Sequence, residues 1–111
     1  MEYIEINGKN QPFRFGLRAL KKLNAACPEK FEKLFNGADT VNFADNIELA
    51  EHILQIGLNE GAKAAGEKYT VTKQKAEDLL DEGGIPFLEQ VMAVFEKAIS
   101  NPKQQPKLSK T

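Results

Sequence analysis

The sequence predicts a mainly α fold: a small β-hairpin over residues 1–15, a compact bundle of about five helices over 16–100, and a flexible tail over 101–111. Three observations carry this expectation. Apolar residues alternate at the N-terminus around an Asn-Gly pair, recur three and four apart from Leu17 onwards, and all but vanish after Ser100. With 111 residues, 41% of them apolar, and seven Phe and two Tyr, the chain has the material for one domain with its own core.

The hairpin comes first. Tyr3, Ile4 and Ile6 form a strand-like run, Asn7-Gly8-Lys9-Asn10 supplies turn chemistry, and Phe13-Arg14-Phe15 alternates again. Asn-Gly tolerates the positive φ angles of tight hairpin turns. Pro12 cannot donate to a ladder, so the second strand is expected at an edge or starting after it.

Helical spacing follows. Leu17, Leu20 and Leu23, flanked by Ala19 and Ala26, mark a first helix with Arg18, Lys21 and Lys22 on its other side. Pro28 ends it and opens a second, with Phe31, Leu34 and Phe35 as its apolar face and Asn36-Gly37 as its stop. Asn42 or Asp45 caps a long third helix, with Phe43, Ile47, Ala50, Leu54 and Leu58 in one stripe. Leu49, Ile53 and Ile56 widen that stripe, so this helix should be central. It is expected to fray beyond Leu58 and finish by Gly66, since glycine disfavours a helix interior by about 1 kcal/mol relative to alanine.

Tyr69-Thr70-Val71 reads as an extended link, and Thr72 caps a fourth helix carrying Ala76, Leu79 and Leu80. Gly83-Gly84 breaks it. Pro86 starts a fifth, striped by Phe87, Leu88, Val91, Phe95, Ala98 and Ile99. Residues 101–111 hold two prolines, three lysines, no acid and one large apolar residue, Leu108, too little to offset the entropy of ordering them.

Fifteen basic against sixteen acidic side chains argue against general attraction to nucleic acid or anionic membrane. The N-terminus has no apolar stretch of signal-peptide length, and no segment approaches the roughly 20 apolar residues of a membrane span. A cytoplasmic protein is expected.

Residues that could carry chemistry are few. His52 with Glu48 would give two metal ligands on one helical face, and no second His or ligand-spaced Cys completes a set. Cys27, the single cysteine, falls at the spacing of the first helix's core leucines and reads as a small core residue. Glu77-Asp78 and Asp81-Glu82 alternate with Leu79 and Leu80 as the wet face of an amphipathic helix. Gly57-x-x-x-Gly61 has a close-packing spacing but no membrane segment around it, and Gly83-Gly84 has no phosphate-loop pattern. Arg14, Arg18, Lys21, Lys22, Lys30 and Lys33 could form one basic face, whose ordinary role is solvation. No enzyme, cofactor or metal is expected.

The order of signals resembles the small tail assembly chaperones of long-tailed bacteriophages and prophages. The matching pieces are Ile6-Asn7-Gly8-Lys9 with Phe13-Arg14-Phe15-Gly16-Leu17-Arg18-Ala19-Leu20, then Gly57-Leu58-Asn59-Glu60-Gly61-Ala62, then Ala76-Glu77-Asp78-Leu79-Leu80-Asp81-Glu82, within residues 4 to 99. The resemblance implies a protein that binds the helix-rich tape measure protein, keeps it soluble in the host cytoplasm while tail tube protein polymerises around it, and is absent from the mature virion. It also implies, in several such phages, a longer form made by ribosomal frameshifting. Alternative readings are a structural virion component (a head–tail connector or tube-associated protein) and a DNA-binding regulator.

Candidate protein-binding residues are the apolar ones left over once a core is filled: Phe35, Phe43, Ile56 and Met92 on helices. Phe13 and Phe15 on an edge strand offer a second route, including self-association through that edge or through helices.

Overall fold

The computed structural model describes residues 1–35 and 43–100, apart from the side chains of Leu34, Phe35, Phe43 and Ser100. The expected Asn36-Gly37 stop, the Asn42 cap and the tail 101–111 lie outside the described residues.

Strands β1 (Glu2–Ile6) and β2 (Lys9–Phe13) pair antiparallel, Ile6 opposite Lys9 and Glu2 opposite Phe13. Asn7 (φ 53°) and Gly8 (φ 80°) alone make the turn. Positive φ at both positions gives a turn whose twist matches that of the strands, and Asn-Gly adopts it at little cost. Pro12 lies inside β2, opposite Tyr3, which a two-stranded sheet tolerates because both of its strands are edges. The strand ends at Phe13, short of Phe15. The Arg14 N–H bonds instead to the carbonyl of Gly57, at 3.1 Å.

Helix α1 spans Leu17–Ala26, α2 Pro28–Phe35, α3 Phe43–Ala64 and α4 Lys73–Ser100. Along α1 the buried line is Ala19, Leu23 and then Cys27, at steps of four, while Leu20 is half-buried. Leu17 departs from the expected stripe and is 50% exposed. Three-residue steps fall short of a 3.6-residue turn, so a Leu17-Leu20-Leu23 row drifts around the helix. Pro28 opens α2, where its missing N–H would have had no intrahelical partner.

Helix α3 is central: α1, α2, α4 and β2 all pack on it. Its buried residues Leu49, Ala50, Ile53, Leu54, Ile56 and Leu58 occupy more than one face. Its end is set by Gly66 (φ 74°). Gly66 N–H bonds the Lys63 carbonyl at 3.2 Å and Glu67 N–H the Ala62 carbonyl at 2.8 Å. These two bonds satisfy carbonyls that would otherwise be orphaned, the closing pattern that a left-handed glycine makes possible.

The hairpin lies across α3 where α3 has no side chains. A Cβ on Gly57 would overlap the Phe13 ring, and one on Gly61 would overlap the Pro12 carbonyl. Phe13 and Phe15 are fully buried, their rings stacked at 6.0 Å, and Phe15 meets Phe95 of α4 edge-on at 5.0 Å. The Gly57–Gly61 spacing is thus a seat for a strand.

The link back to α4 is fastened at Val71. Asn59 Oδ1 accepts from the Val71 N–H (2.7 Å), and Asn59 Nδ2 donates to the Val71 carbonyl (2.9 Å). Thr72 caps α4 as expected, its Oγ1 accepting from the Lys75 N–H at 3.1 Å.

Among the described residues there are four helices, not about five, because the fourth and fifth expected helices abut across a kink at Gly84 with no loop between them. Only Gly84 leaves helical geometry (φ 70°, ψ −164°). Pro86 has the φ of a first helical turn built in, so the helix resumes immediately after the break. No described helix is long and apolar enough to cross a membrane.

Candidate functional site

At the Gly84 break, α4 changes phase and its apolar side chains no longer all turn inward. Ile85 is 56% exposed. Together with Ile47 of α3 and Leu80 and Leu88 of α4 it lines an open groove of about 230 Å³, bordered by Glu51, Glu77 and Asp81. Ile85 and Leu88 also line an adjoining depression with Met92 and Ala93, flanked by Asn46, Glu89 and Glu96. The result is a run of aliphatic surface inside a border of carboxylates. Met1, Tyr3 and Leu17 are also exposed, but scattered apolar residues are normal on a protein surface and a lined groove is not.

The groove's acidic edge is organised by Lys73, at the start of α4. Its Nζ lies 3.2 Å from Glu48 Oε2 and 3.7 Å from both Glu51 Oε1 and Glu77 Oε2. His52 Nε2 lies 3.3 Å from the same Glu48 oxygen. The bond to Lys73 is the main influence on Glu48 and holds its carboxyl below the ordinary range. Glu51 is displaced the other way, first by burial and then by the charges of Glu48 and Glu77. Burial tends to lower Lys73, yet the bond to Glu48 and the surrounding carboxylates outweigh it and keep the ammonium protonated more firmly than usual. Burial, reinforced by the Lys73 charge, lowers the affinity of His52 for a proton. Among the described residues no group of three or more His, Cys, Asp or Glu is placed to hold a metal ion.

A second ionic group is structural. Glu60 of α3 is 6% exposed, and its oxygens meet Arg18 Nε at 3.2 Å and Lys22 Nζ at 2.8 Å. Burial alone would raise this carboxyl, but the Lys22 bond and the two positive charges hold it below its ordinary range. On α2, Lys30 and Lys33 approach Asp45 at 3.9 and 3.8 Å. Four members of the expected basic face are therefore ion-paired to α3.

Of the six candidate contact residues, Phe13, Phe15 and Ile56 are in the core. The seat on α3 draws Phe13 inward with its strand, Phe15 packs between Phe13 and Phe95, and Ile56 faces the core from α3 itself. Met92 is half-buried and lines the adjoining depression. The side chains of Phe35 and Phe43 lie outside the described residues. Ile85, absent from that set, is the groove's most exposed apolar residue, and the available signal was its place between a glycine pair and a proline. Cys27 is a buried core thiol donating to the Leu23 carbonyl at 3.4 Å, and burial pushes it up from the ordinary cysteine value. Compared with known proteins, the chain matches no family model, no curated protein and no solved structure.

Proposed function

We propose that this protein is a binding factor for an apolar helical segment of another protein, and that the client is the tape measure protein of a phage tail, held soluble during tube assembly. The observation that carries the binding part is the groove of Ile47, Leu80, Ile85 and Leu88. Its aliphatic floor fits the face of an amphipathic helix, and its border of Glu51, Glu77 and Asp81 favours lysine or arginine beside that face. The tail-assembly part rests on the resemblance of residues 4 to 99 in motif order.

Co-expression with a long helical tail protein tests both parts. The soluble yield of the client should rise with the wild-type chain and fall back with Ile85→Asp. Since Ile85 is 56% exposed, this change adds a charge to the groove without removing a core side chain. A client whose solubility is indifferent to the chain would reject the tail-assembly role. Equal help from wild type and Ile85→Asp would move the binding surface elsewhere. In purified virions the chain should be missing by mass spectrometry.

A further inference from the structure

We infer that residues 101–111 of this same chain occupy the groove when no client does, making the tail an internal competitor. The groove is the one assigned above, but the inference needs no phage client, only a surface that accepts an apolar residue among lysines.

Charge distribution is the first observation. Of the fifteen basic side chains, Lys103, Lys107 and Lys110 lie beyond residue 100, while all sixteen acids precede it. Residues 1–100 thus carry −4 and residues 101–111 carry +3. The groove and its extension are bordered by Glu51 and Glu77, which Lys73 already approaches, and by Asp81, Glu89 and Glu96, so the border carries more negative charge than Lys73 offsets. A segment with three cations and no acid is attracted to that border over a Debye length of about 8 Å at physiological salt.

Composition is the second. The only large apolar residue of the segment, Leu108, stands between Lys107 and Lys110, which matches an aliphatic floor with carboxylates on its edge. Reach is the third. Helix α4 is described as far as Ser100. Going back along it, Met92 lies about 12 Å away and Leu88 about 18 Å, at 1.5 Å per helical residue. Going forward from Ser100 to Leu108, an extended chain covers up to about 26 Å. That length allows the chain to turn and return.

The test uses the full chain. A nitroxide is attached at Ser109→Cys in a Cys27→Ala background, and amide signals are recorded without any client. Ile85, Leu88 and Met92 should lose most of their intensity while the turn at Asn7-Gly8 keeps its own. The loss should disappear with Leu108→Ser and in about 1 M salt, where the Debye length is about 3 Å. Should Cys27→Ala disturb folding, wild type can be compared unlabelled with a variant carrying Lys103→Glu, Lys107→Glu and Lys110→Glu. Shifts concentrated at the same three amides are then expected. Uniform or absent effects overturn the inference, and so does broadening that fades on dilution, which would place a second copy's tail in the groove. None of these outcomes bears on client solubility, so the two readings fail separately.

Discussion

At the scale of single residues, a methyl group added to α3 has opposite effects at different places. In an exposed helix interior Gly→Ala stabilises by about 1 kcal/mol. At Gly61 the added carbon meets the Pro12 backbone carbonyl, which cannot rotate away as a side chain can. Gly61→Ala should therefore destabilise, by roughly 1–3 kcal/mol as overpacked sites do, and denaturant melts read the sign directly. A stabilised variant would show that the hairpin does not sit on this glycine. His52 gives a pH term of known sign. Its affinity for protons is lower folded than unfolded, so the unfolded state takes up the proton first as pH falls through the ordinary value of 6.5. Stability should decline from that pH downward until folded His52 titrates too. Glu51, displaced upward, acts with the opposite sign at lower pH, so the clean measurement is wild type against His52→Gln. The gap between them should change between pH 7 and 5.5 and be constant above pH 7.5, by urea melts. Residues such as Glu60 were not legible in the sequence. A glutamate four turns into a helix reads as solvated until α1 brings Arg18 and Lys22 to it.

At the scale of elements, what the sequence states locally is what the fold keeps. Asn7-Gly8, Gly66 and Thr72 each solve a backbone problem within a few residues, and each was readable because its partners are close in the chain. The break at Gly83-Gly84 was readable, but the absence of a loop across it was not. Gly83-Gly84 with Pro86 signals a stop and a start, but no local rule says whether one residue or several separate them. Gly84 settles it with φ 70° and ψ −164°, a region essentially confined to glycine. Gly84→Ala should accordingly lose about 1–3 kcal/mol, a drop in Tm of several degrees for a domain of this size. Because Ile85 is turned outward at this break, the variant should also lose client binding even at temperatures where it remains folded. Retained stability together with retained binding would detach the groove from the break.

At the scale of the molecule, the core and the proposed groove follow different rules. The core gathers side chains from both strands and all along α3 and α4, with Phe15 against Phe95 joining the two ends of the described chain. Hydrophobic periodicity points to such a core. The proposed groove lies where periodicity is interrupted, at the Gly84 break, whereas Ile56 on the α3 stripe and Phe13 and Phe15 near the hairpin are buried in the core. The clasp of Asn59 on Val71 has a consequence for cleavage. Lys68 is exposed in the connection between α3 and α4, where trypsin would ordinarily cut, yet a protease must draw several residues into an extended, slack strand. With the connection held at 2.7 and 2.9 Å a few residues downstream, that slack is missing. Brief digestion should spare Lys68 in the native chain and nick it in Asn59→Ala, leaving halves that stay associated through α3 and α4 until denaturant parts them.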